Sequence, residues 1–161
     1  MKPIQKTIVA LGLSISSLVV SAQTTTPALT AYYQVKDALV ATDAPKAKQN
    51  AVKLVAALGK VEVNTLSTAD KKALSDAKLR ATAMTKTTDV AVQREQFEDL
   101  STSMIALAKA TKPKTAPTYV QFCPMAAEGK GASWLSDKKE VRNPYYGDKM
   151  LKCGSVKEEI R

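Results

Sequence analysis

The sequence predicts a mainly α protein: an antiparallel four-helix bundle followed by a small irregular C-terminal lobe that holds the aromatics and both cysteines. Two observations carry this. Between Ala28 and Ala110 the chain is rich in Ala, Leu, Lys and Val, has Gly59 as its lone glycine, and repeats apolar residues every three or four positions. After Pro113 the composition changes, and five of the eight aromatics, both cysteines and four of the six glycines fall in the last 49 residues. The expected organisation is a signal peptide over residues 1–22 and one domain over 23–161, with the bundle in 28–112 and the lobe in 113–161.

In the first helix the buried stripe is Leu29, Tyr32, Val35 or Lys36, and Leu39; in the second it is Ala47, Ala51, Leu54, Val55 and Leu58. Thr42-Asp43-Ala44-Pro45 separates them. Asp43 can accept from free amides at a helix start, and Pro45 suits a first turn, where its missing N–H is not needed. Gly59 with the β-branched Val61 and Val63 ends the second helix. Ser67-Thr68-Ala69-Asp70 reads as a capping box opening a third, with Ala73, Leu74, Ala77, Ala81 and Met84 inward. Thr87-Thr88-Asp89 stops and restarts the chain. The fourth stripe, Phe97, Leu100, Met104, Leu107 and Ala108, runs to Lys112-Pro113. Short links between four such helices predict up-and-down packing, and inner alanines predict close approach. In the lobe, Tyr119–Phe122 reads as a short strand, Asn143-Pro144-Tyr145-Tyr146-Gly147 as a turn, and the aromatics as the lobe's core.

The front of the chain carries Lys2 and Lys6, an apolar stretch from Thr7 to Val20, and small or tolerated residues in Val20-Ser21-Ala22. This is the pattern of an exported precursor cleaved after Ala22, which places the product in the periplasm with no transmembrane anchor after cleavage. The full chain carries 24 Lys and Arg against 15 Asp and Glu, a formal charge of +9. The lysines lie beside acids, as in Lys71, Lys72, Asp76 and Lys78, without a dense basic run, so they read as a solvated surface and no nucleic-acid partner is expected. The chain has no histidine. That removes the usual general acid–base group, the Ser-His and Cys-His pairs and every imidazole metal site. With no phosphate loop or nucleophile signature either, the chain is not expected to be an enzyme.

One constellation carries chemistry. Cys123-Pro124-Met125 and Met150-Leu151-Lys152-Cys153 each place a methionine two or three residues from a cysteine. Brought together, Cys123, Met125, Met150 and Cys153 offer two thiols and two thioethers, a set that suits copper(I) or its mimic silver(I) better than zinc. Lys149 and Lys152 are expected to favour the thiolate, and Trp134, Tyr145 or Tyr146 to shield the ion. A second reading stands beside the first. An exported protein with two cysteines commonly has one disulfide, and a Cys123–Cys153 bridge closing about thirty residues is worth roughly 3 to 4 kcal/mol in a chain-entropy model. Met125 and Met150 are then gap-filling residues.

The strings Cys123-Pro124-Met125-Ala126, Gly131-Ala132-Ser133-Trp134-Leu135-Ser136 and Glu140 to Gly154 resemble an exported bacterial family of unassigned function, domain of unknown function 3347. That family is found alone and fused to membrane-fusion subunits of copper and silver efflux pumps. The similarity covers roughly residues 30–158, including Tyr32 to Leu39 and Gln93 to Phe97. The resemblance implies a helical periplasmic domain associated with heavy-metal handling, with a copper or silver efflux membrane-fusion protein as its partner. It supplies no ligand set; the four sulfur residues rest on ligand softness alone.

Overall fold

The computed structural model describes residues 25–113 and 116–161; the predicted signal peptide lies outside them. Four helices, α1 (Thr26–Val40), α2 (Ala44–Gly59), α3 (Thr68–Met84) and α4 (Val90–Thr111), precede strands β1 (Thr118–Cys123), β2 (Ala132–Ser136) and β3 (Ser155–Ile160), with a 3₁₀ turn at Gly147–Met150. The chain is mainly α.

The starts of α2, α3 and α4 are held by the caps the sequence offers, whereas Thr25 before α1 makes no side-chain cap. The amide of Lys46 donates to Asp43 Oδ1 at 2.9 Å, that of Asp70 to Ser67 Oγ at 3.2 Å, and that of Ala91 to Asp89 Oδ1 at 2.8 Å. In the α3 cap the Ser67 hydroxyl also donates to the Asp70 carboxylate at 2.6 Å. α4 stops where Lys112 turns left-handed, one residue before Pro113.

Helix α1 packs on α2, α2 on α3, α3 on α4, and α4 also on β2. The predicted stripes supply the core. Tyr32, Leu39, Leu54, Leu58, Met84, Phe97, Leu100, Met104 and Leu107 are all buried, whereas Val55 and Ala73, at the stripe margins, are only partly so. Both alternatives at one α1 position are inside. Val35 is apolar, and Lys36 is buried with its ammonium 2.8 Å from Asp37 and 3.7 Å from Asp137.

The lobe is not irregular. It contains a three-stranded antiparallel sheet in the order β2-β1-β3, of which only the first strand is apparent in the sequence. The other two escape a periodicity reading because β2 is buried at the adjacent residues Trp134 and Leu135, and β3, Ser155–Ile160, is largely polar. Opposite them, Gln121 and Val120 of β1 are also both buried, so both faces are covered at this point. Pairing of β1 with β3 slips between Val120 (opposite Glu158) and Gln121 (opposite Val156), leaving Lys157 as a bulge.

A run of aromatic contacts joins the helices to the lobe. Tyr32 stacks on Phe97 at 5.2 Å, Phe97 meets Tyr145 at 5.8 Å, and Tyr145 meets Trp134 at 5.9 Å. The Tyr32 hydroxyl lies 2.7 Å from Ser101 Oγ and accepts from the Leu135 amide at 3.2 Å, which ties α1 to α4 and β2 at one atom.

Candidate metal centre

Cys123 is the last residue of β1 and is fully buried, facing Ala132 of β2. On its other side Phe122 faces Ser155, so the next position, opposite Cys123, belongs to Gly154, and Cys153 immediately precedes it. The strand register thus delivers the two cysteines to one end of the sheet. Both are free, and they lie near enough that Cys123 disfavours ionisation of Cys153. Cys123 is enclosed; Cys153 is partly exposed.

Backbone geometry around Cys153 is tightly specified. Gly154 has φ of +137°, and a Cβ there would lie 2.7 Å from the Phe122 carbonyl oxygen and 3.0 Å from the Trp134 ring. Only glycine lets the chain turn so close to β1. Asn143 organises the preceding loop. Its amide donates to the Leu151 carbonyl at 2.8 Å and its side-chain NH₂ to the Cys153 carbonyl at 3.1 Å, while its Oδ1 accepts from Tyr145 N at 2.8 Å. The same loop is anchored to the helices by Arg94 of α4, which donates to the carbonyls of Pro144 at 2.9 Å and Leu39 at 3.1 Å. Gly147, at φ +56°, passes beside Thr42 and Arg94, where a Cβ would be 2.5 Å from Thr42 Oγ1.

Met150 reaches Cys153 through its main chain: its carbonyl accepts from the Cys153 amide at 3.0 Å. Met125 follows Cys123 by two residues, and its backbone favours the ionised form of Cys153. The Met125 side chain is 52 % exposed and that of Met150 partly exposed. Of the four predicted residues Cys123 is enclosed, Cys153 and Met150 are partly exposed, and Met125 is exposed.

The Cys153 thiol is pushed above the ordinary range, first by its hydrogen bond to Cys123, then by burial and by the charge Cys123 acquires when ionised; the Met125 amide pulls the other way. This reverses the expectation drawn from Lys149 and Lys152. Both lysines are exposed, and the immediate neighbours of the sulfur outweigh them. Of the aromatics, Trp134 and Tyr145 are buried as lobe core, while Tyr146 donates its hydroxyl proton to the Met125 carbonyl. The Trp134 indole N–H has no acceptor among the described residues.

Asn143 and Arg94 are the residues the sequence reading misses. The Asn-Pro turn is visible in the sequence, but its grip on Cys153 depends on a residue ten positions away. Arg94 gives no local signal, because its acceptors are carbonyls whose location only the folded chain defines.

A family model matches residues 28–116, more than half of the chain. The chain belongs to the family described as protein of unknown function (DUF3347). The DUF3347 match lies on the helices and ends before Cys123, so family membership is carried by the segment whose pattern looks generic rather than by the cysteine strings. No curated protein and no solved structure matches the chain. Among the described residues no helix is long and apolar enough to cross a membrane.

Proposed function

We propose that this DUF3347 chain is a periplasmic copper(I)- and silver(I)-binding protein that sequesters the ion or delivers it to an efflux system, with a membrane-fusion subunit as recipient. The observation that supports this most is the strand register that brings Cys123 and Cys153 to one end of the sheet, with Met125 two residues after Cys123 and Met150 bonded to the Cys153 amide. Two thiols and two thioethers without imidazole form a soft donor set, matched to a soft monovalent ion. The protein catalyses no covalent reaction in this reading; the ion passes by stepwise replacement of one sulfur by a partner's. The helices act as an up-and-down antiparallel bundle, in keeping with the short links and the sequential packing of α1 to α4. Export follows from the leader pattern in residues 1–22.

The test is competition between the reduced protein and a coloured copper(I) chelator, beside the double variant Cys123→Ser, Cys153→Ser. The wild type strips colour and the variant does not; equal loss of colour in both samples removes the proposal. Met125→Leu with Met150→Leu weakens binding while leaving the unfolding midpoint nearly unchanged, since the volumes are similar and both side chains reach solvent. The same placement of the two cysteines at one end of the sheet also favours a second reading, a non-catalytic interaction module stapled by a Cys123–Cys153 disulfide. That reading requires protein isolated from the periplasm to have no alkylatable thiol and to melt at lower temperature once reduced.

A further inference from the structure

We infer that Cys123 and Cys153 form an ordered thiol–disulfide switch, in which Cys153 exchanges first with a disulfide-bearing oxidant and Cys123 then closes an internal disulfide that withdraws both thiols from the metal. What the switch controls rests on the copper(I) reading above; the order of the thiols rests on geometry. Cys123 is 0 % exposed, enclosed between β2 and the start of β3, so a second molecule cannot bring a disulfide in line with its sulfur. Cys153 lies just before β3 and is partly exposed, which leaves it the more reachable of the two.

Closure is supported by register. Residues opposite one another on antiparallel strands have Cα atoms about 4.5 to 5.5 Å apart, and a disulfide spans about 4.4 to 6.8 Å. Cys153 is one residue from the position opposite Cys123, and the turn at Gly154 holds the main chain beside Cys153 close against β1. Hydrogen bonds from Asn143 and to Met150 hold the main chain of Cys153 in that place. With glutathione disulfide as oxidant, the Cys153 sulfur attacks one sulfur of the oxidant. The oxidant's S–S bond breaks, a Cys153–glutathione disulfide forms, and one glutathione leaves with the Cys153 proton. The Cys123 sulfur then attacks Cys153 Sγ and expels a second glutathione, which takes the Cys123 proton. The protein has lost two hydrogens and the oxidant has gained them.

The experiment exposes the reduced full chain to glutathione disulfide, quenches with acid and reads the mass. Wild type passes to the internal disulfide, Cys123→Ala accumulates one glutathione on Cys153, and Cys153→Ser reacts at least about tenfold more slowly than Cys123→Ala. Cys123→Ser serves as a second buried-site variant, and the near-ultraviolet signal of Trp134 verifies that each variant is folded. Equal rates for folded Cys153→Ser and Cys123→Ala overturn the order, and a wild type that stops at the mixed disulfide overturns closure. In the second arm the oxidised wild type holds copper(I) at least about tenfold more weakly than the reduced protein; equal retention overturns the switch. Failure of the reduced protein to hold copper(I) is read before any oxidant is added, and it strikes the proposed function separately.

Discussion

The side-chain NH₂ of Asn143 donates to the main-chain carbonyl of Cys153 at 3.1 Å, so a residue with no sulfur and no charge sets where the outer thiol stands. Through its Oδ1 the same side chain also holds the Tyr145 amide, and Tyr145 packs on Trp134. Replacing Asn143 by Ala leaves two main-chain groups without partners in a buried setting, at a cost of about 2 to 3 kcal/mol. Urea unfolding checks this: the midpoint falls with an unchanged slope. Copper(I) retention by the folded variant also weakens, and full retention would dissociate Asn143 from the site.

Gly154 and Gly59 make opposite predictions for the same substitution. At Gly154 a methyl group meets the Phe122 carbonyl and the Trp134 ring with φ at +137°, so Gly154→Ala is expected to cost about 1 to 3 kcal/mol or more. At Gly59, the last residue of α2, a Cβ meets nothing within 4 Å. Gly59→Ala is expected to stabilise by about 0.4 to 1 kcal/mol through the unfolded chain. Thermal melts of the two variants, run side by side, move in opposite directions.

Tyr32→Phe removes one oxygen that serves both Ser101 and the Leu135 amide. The ring still stacks on Phe97, so the loss is polar rather than steric, about 1 to 3 kcal/mol. Hydrogen exchange at the Leu135 amide is the sharper readout, and it should accelerate more than exchange at the middle of α2.

Stability is expected to fall on the alkaline side. Burial raises Tyr33 from 10.0 to about 12, against a 2.9 Å contact with the Thr118 hydroxyl, and burial also raises Tyr32 and Tyr145. Cys153 is raised from 9.0 by Cys123. In each case the folded state binds the proton more tightly than the unfolded chain. The contribution is therefore whole below the unfolded value and disappears as pH climbs through the folded one. Urea midpoints should hold from neutrality to the ordinary thiol value of 9.0 and decline from there towards about 12. A Tyr33→Phe chain should decline less steeply above 10.0. Midpoints that rise in this window contradict the assignment.

The helical segment is legible because its signals are local. Stripe spacing marks Tyr32, Leu54, Leu74 and Phe97 as inward, and Asp43, Ser67 and Asp89 announce helix starts by chemistry that acts within three residues. The sheet is hidden because its determinants are distant. Glu158 and Glu159 favour no strand by themselves, and they join one by pairing with Val120 and Tyr119. The sulfur constellation is readable as composition, and the convergence of Cys123 and Cys153 is a property of register. The upward push on Cys153 is not readable at all, since it comes from a thiol thirty positions away in the chain rather than from the adjacent lysines.

The bulge at Lys157 bears on how the protein behaves in a crowded compartment. Among the described residues β3 is an outer strand, paired on one side with β1, and an edge of that kind invites a neighbouring polypeptide to add itself. A kink at Lys157 and the charges of Lys157, Glu158 and Glu159 make that rim uneven and costly to cover, so recruitment into fibrils is discouraged along this edge.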